Sequence, residues 1–252
     1  MEIIHIAKGD YPRYEELLLQ REQLQKDALN YRRAYIREFG ELINKIFEKK
    51  ISCIALKKSI AFCQLARNQG KKPDLAAMTE YVEEQMTAYR LQLEEMIAEH
   101  NSTKQDTKIA ADELQEIKTL YRKIARCLHP DISNLMVDNP ELIELWERAR
   151  LAYKCNDLKM LRETDVLIQK IISQLGGEIE PVVIPNLEER ITELERDIHE
   201  IVTTEPYLFR DILDNAEATA EKKAEFETEF RQFCEYESQL KIQLDSMTEQ
   251  GG

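Results

Sequence analysis

The sequence predicts an all-α protein in which long helical hairpins of coiled-coil type flank a compact helical block. Three observations carry that expectation. Glycine and proline are sparse, seven of each in 252 residues, so the chain has few places to turn. Most of the internal ones gather at Gly70 and Pro73, at Pro130 and Pro140, and between Gly176 and Pro185. Between those clusters apolar residues recur at steps of three and four, the period of one helix face. With 43% hydrophobic and 33% charged residues, the chain has enough apolar surface for one or two folded domains. Three stretches follow: an N-terminal long hairpin over 1–107, a helical block over 108–175, and an acidic coiled-coil hairpin over 176–252.

The first helix is expected over 12–69, where Leu17, Leu24, Ala28, Tyr31, Tyr35, Phe39, Leu42 and Ile46 keep helical spacing and Gly40 is the one glycine in the stretch. A continuous helix of that length runs about 85 Å and needs partners along it. NQGKKPD at 68–74 supplies a stop and a restart, with Gly70 after the last turn, Pro73 as breaker and Asp74 as N-cap. The next helix, about 75–100, should fold back with Met78, Val82, Met86, Tyr89, Leu93 and Ile97 facing the first. HNSTKQDT at 100–107 reads as a polar linker.

In 113–128 Leu114, Ile117, Tyr121, Ile124 and Leu128 line one face. Lys118, Arg122 and Arg126 step by four beside it, with Lys123 adjacent. At that spacing like charges repel unless something anionic offsets them. The helix must stop at His129, because Pro130 disfavours α conformation in the residue before it. His129, Pro130 and Asp131 thus stand on a short stiff loop at the end of a basic stripe. Asn139-Pro140-Glu141 has the form of an N-cap, a proline at the first helical position and an acid in the first turn. Leu142, Trp146, Ala149, Ala152 and Tyr153 then share a face, and at that spacing Trp146 reads as core. From Asp157, Leu158, Leu161, Ile168, Ile171 and Leu175 outline a further helix.

GGEIEPVVIPN at 176–186 is a second linker. Leu187, Ile191, Leu194, Ile198 and Ile201 form an a/d seam. TTEPYLFRDILDN at 203–215 is the expected turn, and Phe226, Phe230, Phe233, Leu240, Leu244 and Met247 the returning seam, which Glu237 interrupts. An antiparallel hairpin satisfies both seams within one chain. A homodimer through coiled coils fits the same residues.

The run EIKTLYRKIARCLHPD at 116–131, with WERARLAY at 146–153, resembles the J domain of DnaJ-type co-chaperones. Tyr121-Arg122-Lys123, Ala125 and His129-Pro130-Asp131 match the second helix and its loop, and Ala152-Tyr153 the third helix, over roughly residues 110–156. A bare His-Pro-Asp is a weak signal; in register with EIKxxYRKxA it is a strong one. The resemblance implies docking on a DnaK-type ATPase chaperone and stimulation of its ATP hydrolysis. Lys118, Arg122, Lys123 and Arg126 would steer encounter with an acidic groove. Asp131 would accept a charge-assisted bond from an arginine of the chaperone, while His129 and Pro130 hold it in place. The chain also departs from the family. QDTKIAADEL stands where the first helix belongs, and there is neither a Gly/Phe-rich segment nor a cysteine-rich zinc module. Helix 75–100 and the helix from Asp157 are the candidates to cover the exposed apolar face.

Other classes fare less well. No window is long and apolar enough for a membrane span, and Glu2 stands where a signal peptide carries basic residues. A cytoplasmic protein is expected, with five reduced cysteines, since their odd number and wide spacing give no disulfide framework and no zinc pair. No cofactor is implied. Cys127, His129 and Asp131 as metal ligands would point in different directions from a helix end. The net charge of −13 resides from Glu178 onward, where 20 acidic residues face 7 basic ones. That excess opposes phosphate binding and leaves a nucleic-acid adaptor the weakest alternative. It also makes the acidic hairpin a candidate to mask the basic stripe. No paired carboxylates suggest a cleft, so no enzyme is expected. The rival reading is a structural scaffold whose J-like hairpin does not act on a chaperone. The client is left unnamed by the sequence.

Overall fold

In the computed structural model, which describes residues 10–104, 109–136, 139–175 and 186–249, the protein is all-α. The order is α1 (Asp10–Asn68), α2 (Leu75–Lys104), α3 (Ala111–Leu128), α4 (Pro140–Lys154), α5 (Leu158–Leu175), α6 (Leu187–Thr203), α7 (Phe209–Leu213) and α8 (Ala216–Glu249), with no strand among the described residues. No described helix is long and apolar enough to cross a membrane. Two compact units divide the chain. The first comprises α1 as far as Asn30 with α3, α4, α5 and α6; the second comprises α1 from Tyr31 with α2, α7 and α8.

Local chemistry sets the helix ends. Gly70 sits at φ +68°, with its own N–H on Arg67 O and the N–H of Lys71 on Ala66 O. That pair of bonds is a Schellman stop, which requires the left-handed conformation glycine adopts without cost. Asp74 then caps α2, its side chain accepting from the N–H groups of Ala76 and Ala77. Asn215 does the same for α8, accepting from Glu217 and Ala218. The expected turn at 203–215 includes a short helix of its own, α7.

In the second unit α1 is apolar on two faces and is covered on both. Ile51, with Phe47, Ile54 and Ala55, meets Val82, Met86, Met78 and Leu93 of α2. On the other face Cys53, Leu56 and Ile60 meet Phe233, Tyr236, Leu240 and Leu244 of α8. Tyr89 and Ile97, expected on the α2 seam, are 37% and 42% exposed. The seam closes instead on His100, buried at 5% exposure against the backbone of Gly40. A Cβ on residue 40 would lie 2.8 Å from two atoms of that imidazole. Gly40→Ala is therefore expected to be a net loss: overpacking costs about 1–3 kcal/mol, against roughly 1 kcal/mol recovered in helix propensity. A lower urea midpoint would show it; a higher one would mean the ring moves aside freely.

The two C-terminal seams belong to different units. In the first unit Ile191 and Leu194 of α6 pack with Tyr14 and Leu18 of α1 and with Ile132. In the second unit the α8 seam packs on α1. A heptad demands an apolar partner surface but does not name it, and α1 offers one to each.

The core of the first unit is a three-helix stack. Ile117, Ile124, Ala125 and Leu128 of α3 and Leu142, Ala149 and Ala152 of α4 are fully buried, and Leu161 and Ile168 of α5 close the face between them. Of the two candidates to cover the α3–α4 pair, α5 takes that place, and Leu19 of α1 enters the same cluster. The adjacent Leu18 faces the α6 cluster, so neighbouring leucines on one turn serve two packing surfaces.

Candidate functional site

The site is the end of α3, the loop after it and the start of α4. His129 has φ −60° and ψ 128°, extended as Pro130 demands, while its N–H still bonds Ala125 O. The N–H groups of Ile132 and Ser133 turn back onto His129 O. Asn139 caps α4 by accepting from Leu142 N, with Pro140 in the first turn, as the sequence indicates. Residues 137 and 138 of the loop lie outside the described residues.

His129 is buried at 6% exposure. Its ring lies edge-on to Trp146, 5.4 Å between centroids. Nδ1 accepts the Asp131 N–H at 3.1 Å, and Nε2 lies 3.4 Å from Glu22 Oε1 on α1. Tyr121, also buried, donates its hydroxyl to Glu22 Oε2 at 3.0 Å and stacks on Tyr153 at 3.9 Å. Burial works to raise the pKa of Glu22, but its interaction with the His129 ring, the Tyr121 hydroxyl and the Arg21 charge outweigh it, and the net shift is downward. Burial, reinforced by the Glu22 charge, pushes Tyr121 well above the ordinary phenol value. Tyr121 is thus a neutral donor and Glu22 an anion in the interior.

All four cations of the stripe are ion-paired. Lys118 lies 3.7 Å from Asp27, Arg122 3.3 Å from Glu16, and Arg126 2.7 Å from Glu15 and 3.5 Å from Glu16. Lys123 lies 2.7 Å from Asp165 on α5. The carboxylates that offset the three-residue stripe therefore come from the N-terminal third of α1, a source the charge distribution along the chain does not suggest. These pairs remain open to water, with Arg122 and Arg126 side chains 38% and 51% exposed, and such pairs are worth at most about 1 kcal/mol each.

Asp131 differs from its neighbours. It is half-buried, and among the described residues nothing pairs with its carboxylate. Pro130 beside it is exposed. Together with Ser133, Asn134, Met136, Ile143 and Trp146, Pro130 lines an open groove of about 380 Å³ between the loop and α4. Among the described residues no three His, Cys, Asp or Glu side chains gather as a metal ion requires.

Every predicted site residue thus lies on α3 or the loop after it: Tyr121 and His129 are buried, Asp131 is half-buried, and Pro130 and the cations reach solvent. Missing from the sequence reading were the residues of α1 that complete the site: Glu15, Glu16, Glu22, Asp27 and also Lys26. Lys26 is buried at 7% exposure with Nζ 3.6 Å above the Tyr153 ring, and burial lowers its pKa to about 8. Its ammonium has no hydrogen-bond acceptor among the described residues, so the aromatic face is what offsets its desolvation. None of these stands near the loop in sequence, and no local pattern marks them. The chain matches no family model, no curated protein and no solved structure.

Proposed function

We propose that this protein is a J-domain-like co-chaperone or adaptor of the cytoplasm. It docks on a DnaK-type ATPase chaperone through the α3–loop–α4 surface and stimulates its ATP hydrolysis, while the other helices select a client or an assembly. The observation that carries the reading is the state of Asp131. A carboxylate free of described partners stands on a loop whose preceding histidine is buried and whose proline fixes φ. A group so held loses little freedom when a partner arginine binds it. The match of Tyr121-Arg122-Lys123, Ala125 and His129-Pro130-Asp131 to the J-domain pattern supplies the partner's class. In this reading the protein has no catalytic residue of its own.

One observation favours the rival reading of a scaffold inert towards the chaperone. The stripe already has counter-ions on α1, so its attraction for an acidic groove is weakened. Single-turnover ATP hydrolysis by a purified DnaK separates the two. Stimulation by the wild-type protein, cut at least about tenfold in Asp131→Asn because the new amide forms no charge-assisted bond, supports the co-chaperone reading. Absence of stimulation by the wild type leaves the scaffold.

A further inference from the structure

We infer that Glu22 of α1 is a positioning residue for the Asp131 loop, acting through the tautomer of His129. The inference rests on the loop being the functional element proposed above. Nδ1 of His129 accepts the Asp131 N–H at 3.1 Å. A neutral imidazole carries one N–H and one acceptor nitrogen, so this bond places the ring proton on Nε2. The opposite tautomer would set two N–H groups against each other and release the backbone of residue 131. What favours Nε2–H is a carboxylate beside that nitrogen, and Oε1 of Glu22 lies 3.4 Å from it. The orienting logic resembles that of a carboxylate behind a metal-bound histidine, where the outer group fixes ring and tautomer.

Glu22 is itself fixed. Its side chain is only 19% exposed, and the Tyr121 hydroxyl donates to its second oxygen. The helix that carries it is anchored by Tyr14, Leu18 and Leu19, exposed at 3%, 1% and 2%. From the same helix Tyr11 donates its hydroxyl to the carbonyl of Ile132 at 2.8 Å. Thus α1 holds the loop on both sides of Asp131, by the main chain at residue 132 and through the imidazole at residue 129. The order of influence is Glu22 to His129 Nε2–H, His129 Nδ1 to the Asp131 N–H, and from that backbone to the outward carboxylate.

The test uses the full chain with Glu22→Leu and Glu22→Gln, read by the ring ¹⁵N shifts of His129 and by stimulation of DnaK in a single turnover. Leucine cannot accept a hydrogen bond, whereas the glutamine carbonyl can. Glu22→Leu is expected to turn a single Nε2–H tautomer into a mixture and to lower stimulation about tenfold, while Glu22→Gln keeps both within about twofold. The inference is overturned if Glu22→Leu keeps the wild-type tautomer. It is equally overturned if the wild-type protein shows Nδ1–H, a measurement that needs no variant to fold. Failure of the wild type to stimulate DnaK overturns the proposed function alone, because the ring shifts still decide the role of Glu22.

Discussion

Trp146→Ala removes about 3–5 kcal/mol from the unfolding free energy of the first unit, the largest effect expected of any single substitution there. The indole is 4% exposed. It lies 5.9 Å from the Tyr121 ring and 5.4 Å from the His129 ring, edge-on to the latter. Alanine leaves a void between α3 and α4 that three packed helices cannot close without moving their backbones. Trp146 is the chain's one tryptophan, so the loss is followed by far-UV circular dichroism in urea. Ile143→Ala, on the same helix but 46% exposed, is the matched control, with an expected change within about 0.5 kcal/mol. The indole is the wall against which the His129 ring rests, so if the protein acts as the co-chaperone proposed above, stimulation of DnaK by Trp146→Ala is expected to fall even in buffer where the fold persists. Equal unfolding midpoints for Trp146→Ala and Ile143→Ala would show that the α3–α4 core is not what holds this unit together.

Much of this site could be read from local chemistry. Pro130 dictates the stop of α3 and the extended backbone of His129. Asn139-Pro140 dictates the start of α4, and the steps from Ile117 to Leu128 identify the buried face. Each depends on residues within one or two turns of each other. Long-range choices are another matter. The seam of α6 was legible, but its partners Tyr14 and Leu18 were not, since any apolar face of similar width satisfies a heptad. In α1, Leu18 and Leu19 are both buried, against different clusters. A search for one stripe at helical spacing cannot register a helix used on two faces. Glu22 is the clearest case. Among 48 acidic residues nothing in sequence separates the one that meets His129 from those that meet water, because its environment is built by residues about a hundred positions away. Glu237, by contrast, was visible as an interruption of a seam, although the interruption alone does not disclose its use.

Acid is expected to weaken the second unit through Glu237 as pH falls below about 4.5. This residue occupies a seam position of α8 and is 7% exposed. It accepts from Lys49 Nζ at 2.8 Å and Ser52 Oγ at 2.6 Å on α1, with Lys241 Nζ at 3.1 Å. Those bonds, the Lys49 and Ser52 ones foremost and opposed by burial, bring its pKa down from 4.5 to about 2. A depressed folded-state value means that the unfolded chain takes up the proton first as pH falls. The stabilisation is complete above the unfolded value of 4.5 and drains away as pH drops towards 2, by at most about 3 kcal/mol. Glu237→Leu should flatten that part of the pH dependence. It continues the apolar seam beside Phe233, Leu240 and Leu244 and leaves Lys49 and Lys241 side chains 31% and 57% exposed, free to regain water. Neutral-pH stability then changes by no more than about 1 kcal/mol, since apolar replacement of a buried ion is often neutral or favourable. Lys49→Met has the opposite outcome. It takes one of two cations from a carboxylate that is 9% exposed, leaving Lys241 and Ser52 to hold it, and costs on the order of 2 kcal/mol at pH 7. Urea midpoints of the three proteins at pH 7 and pH 3 check both statements. An unchanged pH dependence in Glu237→Leu would assign the acid sensitivity to other carboxylates. The asymmetry between the two substitutions, mild for the acid and larger for its partner, is what a buried polar contact that orients α8 on α1 should produce, because it contributes less to total stability than to excluding arrangements in which Glu237 has no cation to meet.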